Sequence, residues 1–173
     1  MTMLDHTRSI YQLSQKIGCE VTDIQNFCVW GNHGPSMFPD CRYMTVNGEP
    51  YFAKLDKEWL FTYFIPKIKR HWFDIQEARG WTSIASPANA ALEHMKAWVH
   101  GTKGNWTSFS VVSKGEYGIP KGIVYSFPVT VEHEKWKIVE GLDIPPEDEW
   151  FLKISEKELW SEDVRARRIT QPK

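Results

Sequence analysis

At 173 residues the chain is long enough for one domain with a real core and short for two. Its 42% hydrophobic and 25% charged residues are ordinary for a globular protein. A net charge of -1 and a pI near 6.6 exclude the basic surface that nucleic acid or an anionic membrane would require. Nine Trp within a 14% aromatic share therefore point to a packed core or a large buried interface, not to a base-stacking surface. Cys19, Cys28 and Cys41 form no CxxC pair and are odd in number. No apolar run reaches the roughly 18 residues of a membrane span. MTMLDHTRSI lacks a signal pattern, so a reducing, cytoplasmic setting is expected.

In chain order, residues 6–17 read as a helix with Ile10, Leu13 and Ile17 on one stripe and Gly18 as its C-terminal cap. Asp5 is a candidate N-cap. Gln25–Trp30 reads as a buried strand running into the turn-rich Gly31-Asn32-His33-Gly34-Pro35. Arg42–Val46 is a further strand, closed by a hairpin turn at Asn47-Gly48. After the aromatic stretch Glu58–Ile65, Pro66 opens a helix to Arg79. Ser86 as cap and Pro87 at the first position open another, which Gly101 stops. Thr107–Val112, Ile123–Glu132 and Lys135–Val139 read as antiparallel strands. A last helix is expected from Ser155, with Glu158 completing a capping box, to about Arg168, and RITQPK as a tail. The mixture lacks regular strand–helix–strand alternation, so the fold class is α+β, with helices on a largely antiparallel twisted sheet. One domain is expected over 1–160, with the helix end and tail over 161–173.

Three groups of residues carry candidate chemistry. His33 follows a buried strand inside a glycine-bounded loop, where a histidine is exposed to a cleft yet fixed in place, as a general acid/base must be; a solvated loop histidine is the plainer alternative. Asp5 and Arg8, three apart, share a helix face. They read as a cap and a surface ion pair, or, given a histidine, as its orienting carboxylate and a two-pronged clamp for an acid. Thr82 and Ser83 lie on a connector, where hydroxyls contact a substrate or satisfy nearby backbone. There is no G-x-G-x-x-G, no HExxH, no Cys/His metal cluster and no G-x-S-x-G, so no metal is expected and no phosphate cradle is present.

These segments also resemble a known family. Leu4-Asp5-His6-Thr7-Arg8 resembles the LDxxR signature of lactate/malate dehydrogenases, and Trp30-Gly31-Asn32-His33 the active-site histidine motif of their cytosolic malate branch. Arg79-Gly80-Trp81-Thr82-Ser83 and the following ANAALEHMKAWVHGT are similar to the substrate-side hydroxyl segment and its long helix. Tyr117–Pro120, Tyr125–Pro128 and Trp136–Leu142 continue the likeness, which runs to about residue 160. The resemblance implies the fold of that family's C-terminal catalytic domain and NAD-dependent hydride transfer between malate and oxaloacetate. It implies His33 as acid/base, Asp5 as its support, Arg8 on the substrate carboxylate, and Asn32, Thr82 and Ser83 as substrate contacts. It further implies a homodimer or a complementing nucleotide-binding domain as partner. NAD has no confident binding residue in this sequence. The family's dinucleotide-binding half, with the mobile arginines that choose the second carboxylate, precedes LDxxR and is not represented. Gly34–Asp40 also departs from the expected Ser/Thr-rich run, and Phe61, Tyr63, Phe64, Trp72 and Phe73 from the expected composition. The chain is expected to be a divergent paralogue, as a truncated isoform, an alternative start or a partial gene model. It is expected to be inactive alone, and the competing expectation is a non-catalytic interaction module.

Overall fold

The computed structural model describes residues 1–170. It is α+β, and every strand pairing among the described residues is antiparallel. The strands are split over three small sheets: β1 (Ile24–Gln25), β4 (Thr45–Val46) and β5 (Glu49–Pro50); the pair β2 (Cys28–Trp30) and β3 (Phe38–Asp40); and β6 (Thr107–Val112), β7 (Val124–Glu132) and β8 (Lys135–Ile138). The helices are α1 (Thr2–Ile17), α2 (Lys57–Trp59), α3 (Ile65–Arg79), α4 (Ala85–His100) and α5 (Pro146–Thr170).

β7 is the centre of the core. Tyr125, Phe127, Val129 and Val131 alternate along it and are all fully buried, the period-2 pattern of a strand. Ser126 between them is buried too, because β2 crosses that face: Gly31 and Ser126 exchange two backbone hydrogen bonds of 3.1 and 3.0 Å. Trp30 packs edge-on against Phe127 and Tyr117. Its indole N–H donates to Asp40, which Arg42 grips from the other side, so the β2–β3 pair ends in a satisfied polar cluster. The short loop after Trp30 is thus anchored at its root.

Several expected boundaries move, each for a local reason. α1 begins at Thr2, and its N-cap is Met1, so Asp5 lies inside the first turn and is not a cap. The expected strand Gln25–Trp30 breaks at Asn26, whose φ of 56° is left-handed. Of Arg42–Val46 only Thr45–Val46 is strand, while Phe38–Asp40, obscured by Pro39, pairs with β2. Asn47-Gly48 does form the hairpin turn, with φ values of 51° and 82°. The helical run before Pro66 starts at Lys57 with Asp56 as N-cap, and Leu60–Phe64 is π-helical. Pro66 has no N–H for the carbonyl four residues back, and widening the turn relieves the clash of its ring.

Ser86 lies within α4 and not at its cap. α5 starts nine residues earlier than the sequence reading places it, at Pro146, which leaves Ser155 and Glu158 in mid-helix. Of the expected tail, Arg168–Thr170 are helical, and residues 171–173 lie outside the described residues.

A buried hydrogen-bond chain joins α1 to the strands. The Val29 N–H donates to Ser108 Oγ at 2.8 Å, and the Ser108 hydroxyl is 2.9 Å from His6 Nδ1. Ser108 Oγ keeps its own O–H and a second acceptor lone pair, so a neutral His6 is satisfied there in either tautomer. Burial lowers the His6 pKa to about 4. The unfolded chain takes up this proton near 6.5, so stability is intact above that pH and falls as pH drops toward 4. Between pH 7.5 and 5, denaturant unfolding should register a loss of about 2 kcal/mol from this site, and His6→Gln should lack that component.

Candidate active site

Asp5, Arg8 and His33 meet at the N-terminal half of α1. Asp5 is 1% exposed, and its Oδ2 lies 2.5 Å from His33 Nδ1. An isolated buried carboxylate costs several kcal/mol, so a donor this close is what makes the position tolerable. Ionised Asp5 only accepts, which places the proton on Nδ1 and leaves Nε2 with its lone pair. The ring remains about one-third exposed and lines a cavity of about 650 Å³. A basic nitrogen is therefore held in one tautomer at the edge of a cleft.

Arg8 enters the same cavity one helical turn on from Asp5. Its Nη2 donates to Ser83 Oγ at 3.3 Å and approaches Ser86 Oγ at 3.5 Å, so the connector before α4 and the first turn of α4 fix the guanidinium. Burial lowers the Arg8 pKa from its ordinary value and the Asp5 charge opposes that shift. The group stays protonated throughout the physiological range. Thr82 and Ser83 line the cavity, as do Leu4, Pro35, Met37, Trp72 and Pro87. The cleft thus combines one planar cation, one basic nitrogen, two hydroxyls and an apolar wall, a set suited to a small carboxylic acid.

Asn32 is not brought to the cavity. Its amide points the other way, donating to Glu162 on α5 at 3.4 Å. The sequence reading missed the apolar wall and also His71 of α3, whose Nδ1 is buried without a partner among the described residues. Burial, then the charges of Arg8 and Lys67, lower the His71 pKa. In the sequence Trp72 stands out only as an excess aromatic, and nothing local marks it as a cavity residue, because the residues that share the cavity come from α1, the 33–37 loop and the 82–87 segment. Among the described residues no group of three or more His, Cys, Asp or Glu side chains is placed to hold a metal.

Residues 2–166 match the model of the lactate/malate dehydrogenase α/β C-terminal domain. The chain belongs to that family. It is 45% identical over 163 residues to a malate dehydrogenase of Corynebacterium jeikeium, covering 94% of this chain and 49% of the relative. Among solved structures it superposes on Trichomonas vaginalis lactate dehydrogenase in complex with NADH and oxamate with a TM-score of 0.91 and 38% identity, covering 97% of this chain and 53% of that one. Malate dehydrogenase from Naegleria fowleri gives a TM-score of 0.86 at 38% identity, over 94% and 50% of the two chains. The chain spans about half the length of these relatives.

The loop that carries His33 tolerates little change. Gly31 has a φ of 93°, and a Cβ there would collide with the Ser155 side chain. Gly31→Ala should cost about 2–4 kcal/mol from backbone strain and overpacking together, read as a lowered denaturant midpoint.

Proposed function

We propose that this domain is the substrate-binding and acid/base half of an NAD-dependent dehydrogenase of 2-hydroxy acids, with malate and oxaloacetate as the pair. The observation that carries the reading is the His33–Asp5 pair opening onto the same cleft as Arg8.

Arg8 presents parallel N–H donors to the carboxylate of the acid and fixes its plane. Ser83 holds Arg8 in position, and Thr82 offers a further hydroxyl at the cavity wall. His33 Nε2 takes the proton of the substrate hydroxyl, and Asp5 stabilises the imidazolium that results. In the reverse direction the imidazolium returns that proton to the developing alkoxide. NAD, when bound, would supply the acceptor for the hydride of the hydroxyl-bearing carbon. These residues fit its reacting end: His33 with Leu4, Met37 and Trp72 forms a partly apolar site for proton and hydride movement. They supply no phosphate-binding loop, so a nucleotide-binding domain must complete the site. The choice of malate rests on the 45% identity to a malate dehydrogenase.

Among the described residues no helix is long and apolar enough to cross a membrane. The three free cysteines suit a cytoplasmic setting. Exposed Trp72, Phe73, Trp81, Ile84, Leu92 and Met95 on and between α3 and α4 favour a second reading, an interaction module that has kept the domain without the turnover. A homodimer contact would also cover such side chains.

The test is oxaloacetate-dependent NADH oxidation by this chain joined to the half of the Corynebacterium relative that its match leaves uncovered. Turnover should fall by about 10²–10⁴ in His33→Gln, which keeps a donor for Asp5 but has no basic nitrogen. Arg8→Lys should raise KM on the order of tenfold through loss of the two-pronged contact. A folded fusion that binds NADH without turnover, or one indifferent to His33→Gln, would overturn the reading in favour of the interaction module.

A further inference from the structure

His33 is fixed at its ring by Asp5, but a ring is only as well placed as the backbone beneath it. The loop 31–36 has few backbone partners of its own after the Gly31–Ser126 bridge. What holds it is one stripe of α5. The Asn32 N–H donates to Ser155 Oγ at 3.4 Å, and the Ser155 hydroxyl donates to the Ser36 carbonyl at 2.8 Å. The Ser36 hydroxyl donates in turn to Glu158, and the Asn32 side chain to Glu162 at 3.4 Å. Ser155, Glu158 and Glu162 follow one another at spacings of three and four, one helix face. Ser155 is fully buried in mid-helix, where it caps nothing, and Gly31 approaches it so closely that a side chain at 31 has no room.

The hydrogen bonds run in one consistent direction, from Asn32 N–H through Ser155 to Ser36 O, with Ser36 Oγ–H passed on to Glu158. They engage the residue just before His33 and the residue three after it. We propose that α5 is the brace of the catalytic loop, with Ser155 and Glu158 as positioning residues that set where His33 Nε2 points. This rests on the dehydrogenase reading for its catalytic meaning. It explains the turn of Asn32 away from the cavity: its side chain serves the brace, not the substrate.

Glu158 is half-buried on a helix that extends beyond the contact in both directions, so its removal should loosen the loop without unfolding the domain. The experiment follows the Nδ1 proton of His33 by NMR in uniformly ¹⁵N-labelled chain, assigned by its disappearance in His33→Gln. In Glu158→Ala its exchange with water should rise at least tenfold, because the Asp5 contact opens more often. Glu158→Gln, which retains an acceptor for Ser36, should restore slow exchange. Lys157→Ala, an exposed neighbour, should change nothing. Exchange unaltered in Glu158→Ala, or raised equally in Glu158→Gln, would overturn the brace. No step of this measurement reads turnover. Failure of the dehydrogenase reading would show instead in the fusion assay, and the two failures are distinguishable.

Discussion

The contact between Asp5 and His33 is the constraint on which the site depends. A carboxylate 1% exposed is tolerable only with a strong donor beside it, and among the described residues the only side-chain hydrogen bond of Asp5 is with His33. That requirement fixes the tautomer of the ring, which lines the cleft, and leaves the lone pair on Nε2. It also ties a loop to a helix separated from it by most of the β1–β2 region. The rest of the architecture serves this distance: β2 pinned to β7 at Gly31, the loop held from behind by α5, and α1 seated on the strands through His6 and Ser108.

α1 does two jobs with its two sides. Met3 and Leu13 bury apolar area in the core, while Leu4 and Arg8 line the cavity and Asp5 sets a buried negative charge beside it. The separation of three residues keeps Asp5 and Arg8 on the cleft side, yet each has its own partner: Asp5 takes His33 and Arg8 takes Ser83. Were the two to pair with each other, neither would be available for chemistry. The hydroxyl connector before α4 therefore matters as an orienting device for the guanidinium as well as a wall.

Much of this was legible in the sequence. The α+β class followed from element order, and the Asn47-Gly48 turn, the Gly18, Gly80 and Gly101 helix stops and the β6–β7–β8 strands followed from local chemistry. His33, Asp5, Arg8, Thr82 and Ser83 were also singled out there, and all but the buried Asp5 line the cavity itself. The errors have a common origin. Ser155 and Glu158 carry the spacing of a capping box, but the same spacing also lines up a helix face against a loop, and only the fold distinguishes these. Asp5 has the composition of a cap and the position of a buried partner. Asn32, next to His33 in sequence, points away because its side-chain amide is taken by Glu162 of α5, a partner 130 residues on that nothing local announces.

The claim that Asp5 and His33 form one coupled unit is tested most directly by a double-mutant cycle on unfolding free energy. Asp5→Ala, His33→Ala and the double variant would be compared at neutral pH. The account predicts a coupling of at least about 1.5 kcal/mol, as for a charge-assisted bond with one buried partner. Effects that add to within about 0.5 kcal/mol would mean that the two side chains act independently, contradicting the account.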